Sequence, residues 1–205
     1  MVYKFDPIYF NGTVFGLDET SQMVRGCYDF IRKNEPIPAS YCPKTLAFKN
    51  ANDVLPDIFH MSRGFLVFSE RARAIMEHWA PGQVEFIRVA CRAEPKIAAT
   101  LQFDSAYYFI NILGRAQRLQ WREMQAHGFR PQDDGIERFG LSQDFHTWRL
   151  RERAPREPLI WHDTWWREGN REYRGHDEVL IEDALWRELD ANFPDQLHPL
   201  RAGEG

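Results

Sequence analysis

Cysteine is scarce in this 205-residue chain: Cys27, Cys42 and Cys91 are odd in number and form no Cys-x-x-Cys pair. That argues against a disulfide framework and against a zinc site, both of which need closely spaced ligand pairs. Long apolar runs are missing too. The longest, such as Tyr107 to Leu113, fall far short of the roughly 20 residues that a membrane-spanning helix needs. The opening Met1-Val2-Tyr3-Lys4-Phe5-Asp6-Pro7 lacks the charged-then-apolar pattern of a secretion leader, so the expected compartment is the reducing cytoplasm. There is no Lys/Arg-rich block, and direct nucleic-acid binding is not expected. No glycine-rich phosphate loop precedes a helix, so nucleotide hydrolysis is not expected either. Nor is there a Gly-x-Ser-x-Gly elbow or a His-Glu-x-x-His helix. The seven histidines (His60, His78, His127, His146, His162, His176 and His198) have no metal-ligand spacing, and no cofactor is implied.

What the chain does have is apolar and aromatic mass, with 43% hydrophobic and 14% aromatic residues including seven tryptophans. A chain of this size and content can offset ordering entropy and bury a full core as one domain, residues 1–205. Residues 61–200 carry the clearest pattern, and residues 1–60 are the least defined. The net charge is −4 but unevenly spread: residues 175–205 hold 2 basic and 8 acidic side chains. Such a segment is either a solvated helix face or an acidic surface offered to a basic partner.

The periodicity predicts an α+β fold, with a mixed or mostly antiparallel sheet and a few packed amphipathic helices. Gly64 to Phe68 reads as a strand, and Ser69 as the N-cap of a helix whose Ala72, Ile75, Met76 and Trp79 share one face. Pro81-Gly82 ends that helix, and Val84 to Ala90 reads as the next strand. Near the C-terminus the pattern recurs: Val179-Leu180-Ile181 leads into Glu182 and Asp183, then Leu185, Leu189 and Phe193 share a face before Pro194. Laying Val67-Phe68-Ser69-Glu70 over Leu180-Ile181-Glu182-Asp183 matches Ala72 with Leu185 and Met76 with Leu189. The pair reads either as two similar strand-helix-strand units from an internal duplication or as two ordinary amphipathic helices. Between them, Ala106 to Leu113 suits a strand buried on both faces. Ile136 to Leu141, Phe145 to Leu150 and Pro158 to His162 are shorter strand candidates, and residues 17–34 are a helix candidate.

One patch stands out chemically: Trp161-His162-Asp163-Thr164-Trp165-Trp166-Arg167-Glu168, followed by His176-Asp177-Glu178. His162 beside Asp163 has the chemistry of a general base and its orienting carboxylate. Adjacent residues of a strand point to opposite faces, however, which places the two poorly for joint work. The alternatives are a partly buried aromatic cluster at a strand end and an interface anchored by Trp and Arg. Cys91 reads as a small buried hydrophobe and Ser69 as a helix cap rather than as nucleophiles.

Phe65-Leu66-Val67-Phe68-Ser69-Glu70 ahead of a helix, then Tyr107 to Leu113, then a late strand and helix ending near Phe193-Pro194, resemble a bacterial immunity-protein family of polymorphic toxin and type VI secretion systems, first described as a domain of unknown function. The resemblance spans residues 60 to 200. It implies a cytoplasmic, non-catalytic protein, monomer or homodimer, that neutralises a cognate toxin or effector. Such toxins are often basic nucleases, which suits the acidic C-terminal segment. By residue type, the contacts then expected are Asp163, Asp177, Glu178, Glu182, Asp183 and Asp190 for charge, with Trp161, Trp165, Trp166 and Arg167 as anchors. Two other readings stay open: a small enzyme built around His162, Asp163 and His176, and an effector adaptor or chaperone.

Overall fold

The computed structural model describes residues 1–10, 13–15, 26, 27, 29–31, 33, 35–42, 44–48, 55–61, 65–98, 103, 105–120, 136–138, 145–168 and 171–203; within these, the side chains of 13–15, 136–138, 146, 164–168 and 171–177 lie outside the description. The strands are β1 (Val2–Lys4), β2 (Thr13–Phe15), β3 (Thr45–Phe48), β4 (Ile58–Met61), β5 (Phe65–Ser69), β6 (Val84–Ala93), β7 (Tyr107–Ile112), β8 (Ile136–Arg138), β9 (Ile160–Glu168), β10 (Arg171–Glu182) and β11 (Arg201–Ala202). Two ten-residue helices, α1 (Glu70–Trp79) and α2 (Asp183–Asn192), follow β5 and β10. The fold is α+β. A six-stranded sheet runs β2-β3-β6-β7-β5-β4, and a five-stranded sheet runs β11-β1-β10-β9-β8. Among the described strands every pairing is antiparallel except that of β3 with β6.

One hydrophobic core is shared by both sheets and both helices. It joins Phe68, Tyr108, Ile110 and Ile112 of the six-stranded sheet, Ile160, Val179 and Ile181 of the five-stranded sheet, Ala72 and Met76 of α1, and Leu185, Trp186 and Leu189 of α2. The outer face of each sheet carries its own cluster, one around Phe48, Phe59, Val67, Tyr107 and Phe109, the other around Trp148, Trp161, Leu119 and Leu180. All six residues of β7 are therefore buried, as its aromatic and β-branched run, interrupted only by Asn111, favours.

The two strand–helix units correspond beyond their apolar pattern. Within the sheets, β6-β7-β5-β4 matches β11-β1-β10-β9, with β7 and β1 each lying between the strand before the helix and the strand after it. Each helix ends on a cap of the same shape: Ala80 at φ −129°, ψ 56° donates to Met76 O, and Phe193 at φ −134°, ψ 66° donates to Leu189 O. A proline follows each cap, then a left-handed residue, Gly82 (φ 72°) or Asp195 (φ 63°). Then comes a glutamine in both units. Gln83 Oε1 accepts from Leu159 N (2.7 Å) and Ile160 N (3.3 Å), while Gln196 Oε1 accepts from Asp57 N and Ile58 N (both 2.8 Å). Each glutamine thus clasps the start of the corresponding strand of the other unit, β9 for Gln83 and β4 for Gln196. Backbone bonds repeat as well: Glu70 N to Ala106 O (2.8 Å) matches Asp183 N to Met1 O (3.1 Å), and Leu113 N to Gln83 O (2.8 Å) matches Ile8 N to Gln196 O (3.0 Å). Two ordinary amphipathic helices would not share caps, left-handed residues and reciprocal clasps. The units are one structural repeat used twice.

Other expectations fare unevenly. Phe145 to Leu150 is not a strand: Phe145–Thr147 is a 3-10 turn, and Trp148 turns inward to 1% exposure. The aromatic residues there plug a core instead of alternating along a sheet. Of residues 17–34, Gly26, Cys27, Asp29, Phe30, Ile31 and Lys33 are helical, and residues 17–25 lie outside the described residues. Among the described residues, no helix is long and apolar enough to cross a membrane.

Candidate functional site

The patch at the start of β9 folds inward. Ile160 faces the shared core, so Trp161 faces the outer cluster of the five-stranded sheet, and both are fully buried. Asp163, 5% exposed, points the same way as Trp161 and accepts three hydrogen bonds on Oδ2: from Arg118 N (2.8 Å), Leu119 N (3.2 Å) and Trp161 Nε1 (3.2 Å). A buried carboxylate survives only when so satisfied. Arg118, also buried, lays its guanidinium over the Trp161 ring at 4.6 Å and pairs with Glu182. Trp161 and Asp163 are therefore not the surface contacts that their residue types suggest. Glu182 is withdrawn too, because its carboxylate neutralises a cation in the interior. Being 1% exposed, His162 has no route to a dissolved substrate, and its side chain leaves the strand on the face opposite that of Asp163.

Among the other expected contacts, Asp183 opens α2 and holds Arg187 at 2.9 Å, where an acid also favours the helix dipole. Glu178 and Asp190 are half-buried. Trp165, Trp166, Arg167 and Asp177 sit on β9 and β10, where Trp166 is registered with Tyr173 and Arg167 with Glu172; their side chains, like that of His176, lie outside the described residues. Among the described residues, Asp183, Glu188, Asp190 and the exposed Asp195 lie on α2 and just after it, with Arg187 on the same helix and the Arg71 guanidinium over Phe193.

A second surface was not foreseen. Cys42, Lys44, Ile87, Arg88, Val89, Ala90, Cys91, Phe103, Ser105 and Ala106 line an open groove of about 870 Å³ beside β6. Its floor, Ile87, Val89 and Cys91, belongs to the outer cluster of the six-stranded sheet. Burial drives the Cys91 thiol up to about 11, and burial together with the charge of Glu85 raises that of Cys42. Both stay neutral near pH 7 and act as soft apolar lining, not as nucleophiles. The groove gathers three separate chain segments, none of which carries a motif. Among the described residues, no group of three or more His, Cys, Asp or Glu is placed to hold a metal ion.

No family model matches this chain, and no curated protein matches it in sequence. Fold and surfaces together define an α+β protein made of a doubled strand–helix unit, with a small acidic face on one unit and a basic-rimmed groove on the other.

Proposed function

We propose that this chain is an immunity protein, which binds a cognate bacterial toxin or effector in the cytoplasm and neutralises it by covering its working surface. The observation that carries this reading is the fate of the His162–Asp163 pair, the strongest reactive pair in the sequence. Both side chains are sealed, and Asp163 already has three donors on one oxygen, so the pair serves the fold. That takes His162 and Asp163 out of the surface and is in keeping with a molecule that works by surface recognition. Asp183, Glu188, Asp190 and Asp195 on and after α2 form a rim suited to a basic toxin, since complementary charge speeds encounter and rejects wrong partners.

Co-expression with the product of the adjacent gene, the candidate toxin, tests the proposal. The chain is expected to restore growth and to co-purify with the toxin, and Asp183→Lys with Asp190→Lys is expected to weaken the complex tenfold or more. Unchanged toxicity together with no complex would remove the reading.

A further inference from the structure

Asn111 is 1% exposed, yet only half of its side-chain amide is used. Nδ2 donates to Glu35 O and to Glu85 Oε2, each at 2.9 Å. Those two acceptors fix the amide, because turning it over would set oxygen against oxygen. Oδ1 is left open, and among the described residues nothing donates to it. A buried acceptor without a donor costs free energy, so native interiors seldom keep one unless a ligand or an ordered water fills the place.

Beside it stands a carboxylate with spare capacity. Glu85 Oε2 accepts from Asn111 and from Ile37 N (3.0 Å), whereas among the described residues Oε1 has no donor and no cation pairs with this half-buried group. The repeat makes the point sharper. At the matching positions of the other unit stand Asp6 and His198, an acid opposite a base, joined by His198 N to Asp6 O at 2.9 Å. In the first unit Glu85 is registered with an amide instead.

Glu85 also marks one end of the groove. Alternate strand residues share a face, so Glu85 lies in line with Ile87, Val89 and Cys91 of the groove floor. Cys42, another lining residue, donates to Ile37 O at 3.3 Å, and its thiol is raised first by burial and then by the Glu85 charge. The groove's own cations stand apart from this end. Arg88 leaves β6 on the opposite face, and Lys44 O meets Ala90 N, about 16 Å along the strand from Glu85.

From this we infer that the Glu85 end of the groove is a docking site for a lysine side chain of a partner protein, with its stem on Ile87 and its ammonium between Glu85 Oε1 and Asn111 Oδ1. An ammonium carries three donors on a slim stem, and two of them meet the two open acceptors. A planar guanidinium is too broad for an oxygen as deep as that of Asn111. Because the groove is open, a free amine would stay mostly wet there, whereas an extended segment carrying the lysine can lie along the floor. The site belongs to the outer face of the six-stranded sheet and not to α2, so it does not depend on the immunity reading.

The test is selection from a displayed octapeptide library on the full-length chain, followed by titration of the enriched peptides. Enrichment of lysine over arginine is expected. Replacing that lysine by norleucine, which keeps the stem and removes the ammonium, should weaken binding at least tenfold. Glu85→Gln, which keeps an oxygen for Ile37 N and Asn111 Nδ2 but removes the charge, should do the same, and so should Asn111→Ala. Arg156→Glu, an exposed charge on another loop, should leave binding unchanged, with near-ultraviolet circular dichroism confirming that each variant is folded. The inference is overturned if no peptide is enriched, if the norleucine peptide binds as well as its lysine parent, or if Glu85→Gln binds as well as the native chain. It is overturned too if n-butylammonium alone binds as tightly as the peptides, since the occupant would then be a free amine.

Discussion

The two units of the repeat place different side chains at the same point, and the choice separates a plain scaffold from a buried electrostatic lock. Before α1 stands Ser69, whose hydroxyl accepts from Ala72 N at 3.3 Å and donates to Asp57. Before α2 stands Glu182, which makes no side-chain cap and gives its carboxylate to Arg118. One unit satisfies its helix end locally. The other gives up the cap and neutralises a cation that lies over the Trp161 ring. Around the same architecture, the first unit extends its sheet with β3 and β2 and leaves a groove, whereas the second closes over Trp148.

That contrast breaks most visibly at Glu182. Glu182→Ala strands the Arg118 guanidinium in the interior and is expected to cost about 3–5 kcal/mol in urea unfolding. Ser69→Ala, at the matching position, should cost only about 1 kcal/mol; equal losses would mean that the Arg118–Glu182 pair is not buried as described. The clasps sharpen the likeness instead of the difference. Gln83→Leu and Gln196→Leu each deprive two strand N–H groups of their acceptor, and each should cost about 1–3 kcal/mol. Near-equal values support reciprocal clasps, and a loss confined to one of them would show that the units have diverged there.

Smaller effects follow at two turns. Gly82 is left-handed and a Cβ at that position would meet open space, so Gly82→Ala is expected to lose about 1 kcal/mol through backbone strain alone. In the second unit, Arg151 holds the carboxyl of Glu157 down to about 2. A depressed carboxylate contributes stability above its unfolded value, near 4.5, and loses it as pH falls toward 2. The pair is exposed enough that the effect is small. Glu157→Gln should flatten the pH dependence of stability across that acid window, leaving a small loss relative to the native chain above about pH 4.5 and none near pH 2, as thermal melts over pH 2 to pH 7 would register.

Much of the scaffold was legible because its signals are local. The face of Ala72 and Met76, the cap at Ser69 and the doubly buried run of β7 follow from periods of 3.6 and 2 and from residue type. The repeat was half visible. Its apolar positions aligned, but Pro81-Gly82-Gln83 and Pro194-Asp195-Gln196 look like simple helix stops until the glutamines are seen reaching across the molecule. Val2–Lys4 pairs with residues 180–182, a contact that no window of local sequence contains. The surface was the least legible part. Trp161 and Asp163 are indistinguishable from exposed strand residues unless the cover supplied by Trp148 and Leu119 is known, and the groove is assembled from segments that are individually ordinary in composition.

Recognition of a macromolecule, with no reaction at His162 and Asp163, is the claim on which the functional account rests. Calorimetric titration of the purified chain with the product of the adjacent gene, the candidate toxin, measures this most directly. The account predicts a saturable one-to-one complex, weakened at least tenfold by Asp183→Lys with Asp190→Lys. Absence of heat and of any complex, with the toxin fully active in the presence of excess chain, would contradict it.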